Sequence, residues 1–443
     1  MSKEYRVKCR KLDAKGRGIV SFNNASFSVP YLIEGETALI SLQHKPGNTT
    51  AKLVSVEEKA AERIKPECPY FYECGGCDLQ HMSYKKQLQV KKAWIEDLFK
   101  EKHPVEDVIG MDSPYHYRNK IHQTLSKDRK GNIISGIYEE ESHRVIDAKQ
   151  CLIQETCADS IMESIKKIMK AQRIEPYDED RRRGVLRHVL IKYGYHTKQV
   201  MVVLVSGNDI FPGKKNFVSA LLKAHPEITT VVLNTNTRKT SMVLGDKQSV
   251  VYGTGRIEDV LCGYTFSISP KSFYQVNPLQ TERLYEAAIA SANLTGKETV
   301  LDAYSGIGTI SLIVSKNAKS VTGVEINKDA VADAKENAKK NGVKNVNFIC
   351  EDASMYMMKQ AEKGIRPDVA FIDPPRSGCD ERFLTSIVRL KPSRLVYISC
   401  NPETQKRDVD FLLEKGYKIT KVQPVDMFPF TKHVENIVSL CYE

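Results

Sequence analysis

Residues 263–443 are predicted to form an α/β domain with a doubly wound, Rossmann-like sheet, behind an OB-like β-barrel over residues 1–60 and a middle α+β domain over residues 61–262. Three observations predict this. The C-terminal part alternates apolar strand segments with helical ones across short connections, the pattern of a parallel sheet with crossover helices. Within it a glycine turn, Ser305-Gly306-Ile307-Gly308-Thr309, follows one strand and opens a helix. The first 60 residues instead carry short period-two strands between Gly turns, such as Phe27-Ser28-Val29-Pro30 and Thr37-Ala38-Leu39-Ile40-Ser41-Leu42.

In chain order, Lys15-Gly16-Arg17-Gly18-Ile19-Val20 reads as a basic turn entering a five-stranded barrel, a shape suited to single-stranded nucleic acid. Ser83 to Phe99 reads as a helix capped by Ser83, with Lys85, Lys86, Lys91 and Lys92 on a solvated face. Residues 105 to about 260 alternate strands and helices, and Val200 to Ser206 is a buried strand. Arg181-Arg182-Arg183 and Arg187-His188 add positive charge that would hold phosphates beside a nucleic-acid site.

Composition narrows the function. Lys plus Arg number 66 and Asp plus Glu 55, a formal net charge of +11 over 443 residues. That excess favours an anionic partner, nucleic acid foremost. No apolar run approaches the ~20 residues of a membrane-spanning helix. Met1-Ser2-Lys3-Glu4-Tyr5-Arg6 has no apolar signal core. A cytoplasmic protein without membrane association is expected, and no obligate protein partner is implied. In a reducing compartment the 11 cysteines are thiols, metal ligands or nucleophiles rather than a disulfide framework.

The glycine turn points to a cofactor. Gly306 and Gly308 let backbone approach a ligand closely, and the helix behind them favours polar groups. The next strand, Ser320 to Glu325, ends in an acid at the spacing where a carboxylate meets ribose hydroxyls. A dinucleotide fingerprint needs a third glycine where Ser311 stands. An adenosine cofactor without a pyrophosphate, such as S-adenosylmethionine, therefore fits better than NAD. A third strand, Asn345 to Cys350, leads to Glu351-Asp352, with Asp352 in reach of the adenine.

Two further strands end in chemistry. Phe371-Ile372 runs into Asp373-Pro374-Pro375-Arg376, and Leu395 to Ser399 runs into Cys400-Asn401-Pro402. Ligands of open α/β sheets sit beyond strand carboxyl ends. A thiol there is placed for nucleophilic attack. Arg376, where an aromatic would suit amine methylation, weakens that reaction and suggests support of a base or phosphate.

Near the middle domain's start, Cys68, Cys74 and Cys77 form a C-x5-C-x2-C pattern around Gly75-Gly76. Three thiols in ten residues can face one metal centre, and a fourth ligand must come from elsewhere. Zinc and a [4Fe–4S] cluster both accept four thiolates, and the spacing does not separate them. Cys9, Cys262, Cys350, Cys379 and Cys441 read as packing residues.

Four segments together resemble the RNA uracil-5 methyltransferases: Ser399-Cys400-Asn401-Pro402, Asp373-Pro374-Pro375-Arg376-Ser377-Gly378, His433-Val434-Glu435-Asn436 and Ser272-Phe273-Tyr274-Gln275-Val276-Asn277. The resemblance spans the chain and is nearest the iron–sulfur branch that modifies 23S rRNA, whose N-terminal segment is a TRAM barrel. It implies a class I methyltransferase fold. It makes Cys400 the nucleophile and Glu435 the base, with Gln275, Tyr304, Glu325 and Asp373 at S-adenosylmethionine and Phe273 shaping the target pocket. It implies a [4Fe–4S] cluster on Cys68, Cys74, Cys77 and Cys151, with Cys157 as rival fourth ligand. The expected product is 5-methyluridine in 23S rRNA, made through a covalent Cys–C6 adduct. The barrel and cluster favour ribosomal RNA, because the related tRNA branch lacks both. A tRNA target, or two rRNA sites, are the alternatives.

Overall fold

The computed structural model describes residues 3–22, 24–45, 48–139, 142, 144–240 and 242–442; Met1 and Ser2 of the N-terminal segment lie outside them. The N-terminal part is two three-stranded sheets packed face to face, with Val7, Val20, Val29, Leu32 and Ile40 between them. Among the described residues six strands replace the expected five, because Lys11–Leu12 pairs with Gly18–Phe22 as a short additional strand. The basic turn is less open than its sequence suggests. Arg17 pairs with Asp13 at 2.9 Å, and a Cβ on Gly16 would collide with Leu79 of the cysteine-bearing loop. Glu36, fully buried, accepts from Arg63 Nη2 at 2.6 Å and so ties the barrel to the start of the middle domain.

The middle sheet has seven strands in the order Lys247–Tyr252, Ile228–Thr235, Val200–Ser206, Leu186–Tyr193, Lys120–Lys127, Ile133–Tyr138, Val145–Asp147. Helices Thr156–Ala171 and Lys214–Ala224 cover one face through Ile161, Ile165, Phe217 and Leu221. The other face packs Met201, Val203 and Val205 against Phe266, Tyr274 and Leu284 of the C-terminal half. Burial on both faces explains the uninterrupted apolar strand Val200–Ser206. It also corrects the reading of Arg187 and His188. Arg187 is buried, pairs with Glu179 and donates to the carbonyls of Asn236 and Arg238. His188 is buried beside Thr124, and burial pushes it down to about 3. Neither is offered to phosphates, whereas Arg181, Arg182 and Arg183 are exposed.

The C-terminal sheet runs Val346–Cys350, Ser320–Glu325, Thr299–Ala303, Val369–Ile372, Arg394–Ser399, Glu435–Tyr442, Tyr417–Val425. The first five strands are parallel, and Glu435–Tyr442 is inserted antiparallel. Strand order reverses between Thr299–Ala303 and Val369–Ile372. That switch point opens the cleft beyond the strand carboxyl ends.

Helix Tyr84–Phe99 begins as expected, with Ser83 Oγ accepting from Lys86 N at 3.3 Å. It packs on helix Pro402–Glu414 and strand Tyr417–Val425, Ile95 and Phe99 sharing a core with Val409, Leu412 and Val422. Lys91 is not solvated. It is 1% exposed, and its Nζ lies 2.5 Å from Oδ1 of fully buried Asp426. The buried stripe is Gln87, Lys91, Ile95 and Phe99, so its first half is polar and hydropathy alone assigns it to solvent. No helix among the described residues is long and apolar enough to cross a membrane.

Candidate active site

Three left-handed residues shape the turn after Thr299–Ala303: Tyr304 (φ 68°), Gly306 (φ 55°) and Gly308 (φ 86°). A Cβ on Gly308 would meet the Phe348 ring at 2.7 Å, whereas one on Gly306 would meet nothing within 4 Å. Gly308 is thus needed for packing, and Gly306 borders open space. Gly306 N donates to Glu325 Oε2 at 3.1 Å, and Asn327 N to Oε1 at 2.7 Å. These bonds hold the Glu325 carboxylate beside the turn. Tyr304 packs its ring on Phe383, centroids 5.5 Å apart. Asp352 spends one oxygen capping helix Ala353–Glu362, accepting from Met355 N at 3.0 Å, which leaves the other for a ligand. Ser311, the residue in place of a third glycine, donates to Asp302 at 2.5 Å.

The segment before helix Pro278–Ser291 is pinned from the middle domain. Asn119 donates through Nδ2 to Gln275 O at 3.2 Å and through its backbone N to Val276 O at 2.9 Å. Asn277 caps the helix and donates to Met427 O at 3.0 Å. Tyr274 belongs to the buried core that the middle sheet shares with the C-terminal half. Phe273 is 66% exposed, an aromatic face open to a ligand.

Strand register brings the two proposed reactive groups together. Arg394–Ser399 pairs antiparallel with Glu435–Tyr442, and its last pair is Ser399 with Asn436. Cys400 directly follows that pair on one strand and Glu435 directly precedes it on the other, and the Glu435 charge reaches the thiol. Asn436 and Gln405 lock that end. Asn436 Nδ2 donates to Gln405 Oε1 at 2.8 Å, and Gln405 Nε2 returns bonds to the carbonyls of Tyr397 and Asn436. Asn401 caps helix Pro402–Glu414 and donates to Arg376 O at 2.9 Å, joining the Asp-Pro-Pro-Arg loop to the thiol's turn. Asp373 follows Ile372, whose partner is Tyr397 in the cysteine's strand.

The electrostatics are those of a buried acidic floor. Burial pushes Glu435 up to about 8, with Asp373 adding to the shift and Arg376 opposing it. Burial also holds Asp373 at about 7. Cys400 is pushed up to about 11 by burial and by the charges of Glu435 and Asp373, while the Arg376 guanidinium pulls it down. Sequence reasoning passed over Asp302. Burial lifts it to about 7 against its Ser311 bond, with Asp373 contributing. Its signal was an acid inside the apolar run Val300-Leu301-Asp302-Ala303. The charge of Asp373 thus acts on both Asp302 and Glu435, whose carboxyls burial already raises.

Away from this cleft, Cys68, Cys74, Cys77 and Cys151 line one cavity of about 230 Å³, together with Arg118, Gly136 and Ile137. Cys77 is raised by burial and by the other three thiols, and Cys151 is pushed to about 11, chiefly by burial. Cys157 lies instead in helix Thr156–Ala171 against the middle core. Among the described residues no three His, Cys, Asp or Glu side chains converge as they would on a single ion. Of the cysteines read as packing residues, Cys9 and Cys379 are buried, but Cys350 is exposed.

A family profile described as tRNA (Uracil-5-)-methyltransferase matches residues 83–442. A relative from Halalkalibacterium halodurans, called an uncharacterized RNA methyltransferase, is 42% identical over 440 residues, spanning 98% of this chain and 96% of its own. One of the same description from Clostridium tetani is 40% identical over 443 residues, spanning 99% and 96%. Among solved structures, the Pyrococcus abyssi tRNA (uracil-54, C5)-methyltransferase in complex with S-adenosyl-L-homocysteine superposes with a TM-score of 0.80 at 26% identity, covering 98% of this chain and all of that one.

Proposed function

The chain belongs to the tRNA (uracil-5-)-methyltransferase family of S-adenosylmethionine-dependent RNA methyltransferases, and from that premise we propose that it methylates carbon 5 of a uridine in 23S rRNA through a covalent adduct on Cys400. The observation that supports the reading is the register that brings the Cys400 turn and the start of the Glu435 strand to one sheet end, with the Asp373 charge acting on both groups.

Carbon 5 of uracil is a poor nucleophile. Cys400, as thiolate, adds to carbon 6 and turns the ring into an enolate. S-adenosylmethionine, when bound, would supply an electrophilic methyl group to carbon 5 and leave as S-adenosylhomocysteine. Glu435 then removes the carbon-5 proton, and the thiolate leaves with the ring's double bond restored. The raised Glu435 carboxyl suits a base working near neutral pH. Arg376 favours the thiolate against the acids around it. Glu325 would hold the ribose, and Tyr304, Gly306, Gly308, Asp352, Gln275 and Asp373 would line the remainder of the cofactor. The uridine must leave its stack for carbon 6 to meet the thiol, and exposed Phe273 offers a face to a flipped base.

The cysteine cavity is read as the seat of a [4Fe–4S] cluster on Cys68, Cys74, Cys77 and Cys151. A single zinc ion draws thiolates to about 2.3 Å of one point. Four thiols spread around a cavity of about 230 Å³ suit a multi-atom group better. Methyl transfer requires no electrons, so its role is structural.

A second reading, methylation of tRNA, has its own support. The archaeal tRNA enzyme covers 98% of this chain, so an N-terminal extension does not exclude a tRNA target. Mass-spectrometric mapping of 5-methyluridine in cells with and without the gene separates them. Loss from large-subunit rRNA alone is expected and would reveal one site or two. Loss from tRNA alone would keep the chemistry and overturn the substrate.

A further inference from the structure

The turn preceding Glu435 is held from outside the catalytic sheet. Asp78 and Leu79, directly after Cys77, donate their backbone N–H groups to Phe430 O, each at 2.9 Å. Asp78 accepts from Lys432 N at 3.0 Å through Oδ2 and from Lys432 Nζ at 3.1 Å through Oδ1. Gln87 accepts from Phe430 N at 3.1 Å, and Lys91 donates to Phe428 O at 3.1 Å. Phe430 itself sits at φ 66°, left-handed for a bulky residue, and its ring shares a cluster with Cys77 and Cys151. Such a conformation persists only where its surroundings over-determine it. Glu435 stands three residues beyond Lys432 and begins the strand that faces Cys400.

We propose that Asp78 is a positioning residue for proton removal: it fixes the Phe430–Lys432 turn and thereby aims the Glu435 carboxylate at carbon 5 of the adduct. The inference rests on the reading of Glu435 as the base. It gives the cysteine-bearing loop a part in the reaction that involves no electron transfer. The step concerned is the last one: the C5–H bond breaks, its proton goes to Glu435, its electron pair restores the C5–C6 double bond, and the C6–S bond breaks to return the thiolate. A base displaced by about an ångström slows such a step on the order of 10²-fold. Addition and methyl transfer do not use Glu435 and proceed.

The test is accumulation of a denaturation-resistant RNA–protein complex. Full-length Asp78→Ala, Glu435→Gln and unaltered protein are incubated with S-adenosylmethionine and with large-subunit rRNA and tRNA from cells lacking the gene. The same RNAs transcribed with 5-fluorouridine serve as control. Fluorine cannot leave as a cation, so any protein able to add and methylate is trapped. The expected result is that Asp78→Ala equals the unaltered protein on fluorinated RNA. On normal RNA it retains adduct as Glu435→Gln does, with kcat lowered about 10²-fold and KM for RNA nearly unchanged. Should Asp78→Ala fail the fluorinated control, Asp78→Asn and Lys432→Met are read in its place. Adduct with Glu435→Gln but none with the Asp78 or Lys432 variants overturns the inference and leaves the base standing. No adduct with Glu435→Gln overturns the base assignment, and the inference with it.

Discussion

At the residue scale the site is a balance of buried charge. Asp302, Asp373 and Glu435 are held at about 7, 7 and 8 by burial. Below these values the carboxyls are neutral, and above them they are anionic. A sulfonium cation favours the anionic forms. S-adenosylmethionine should therefore bind more tightly as pH rises from 6 to 8 and release protons on binding. S-adenosylhomocysteine, without the sulfonium charge, should respond less. Calorimetry in buffers of different ionisation enthalpy measures both; equal, flat profiles for the two ligands would remove the acids from cofactor recognition. Cys400 and the glycine turn could be found in the sequence because each follows a strand directly. Asp302 was passed over because its shift comes from burial and from Asp373, just past the end of another strand and 71 positions along the chain.

Among the elements, helix Tyr84–Phe99 illustrates how pattern and packing diverge. Its bounds and its Ser83 cap are legible from local chemistry. Its docking is not, because the stripe that packs is half polar. Burial pulls the Lys91 pKa down while Asp426 pulls it back up. Tyr84 donates to the other Asp426 oxygen at 2.8 Å. Removing one partner of a buried pair leaves the other uncompensated, so Lys91→Met should cost about 3–5 kcal/mol. The double variant Lys91→Met/Asp426→Asn should recover part of it. Denaturant unfolding of both variants checks this, and a single variant as stable as the unaltered protein would reduce the pair to an ordinary contact.

On the scale of the whole molecule, buried contacts rather than tethers fasten the middle sheet to the catalytic half and the barrel to the middle domain. The shared core of Met201, Val203 and Val205 with Phe266 and Tyr274 is one junction, and Arg63 with Glu36 is another. The cysteine cavity belongs to this scale, because Cys151 reaches the trio only through the folded middle domain. Anaerobically purified protein should carry about four irons per chain, the content of a [4Fe–4S] cluster. Cys151→Ser should lose them, and Cys157→Ser should keep them. Elemental analysis that finds zinc from iron-replete cells, or iron retained by Cys151→Ser, would reverse the assignment.

Legible from the chain alone were the alternation of strand and helix in the C-terminal part, the glycine turn with Glu325 after it, and the Cys400 and Asp373 strand ends. These are local matters: strand period, capping chemistry and the few residues between a strand and its turn. Packing alone showed that the Cys400 turn and the start of the Glu435 strand share a sheet end, that Cys151, already implied by the resemblance, lines the cavity of the cysteine trio, and that Lys91, Arg187 and His188 are interior. Each depends on which distant segment lies alongside. A side chain's sequence states its charge, but its neighbours set whether that charge meets water, a partner or a reacting atom.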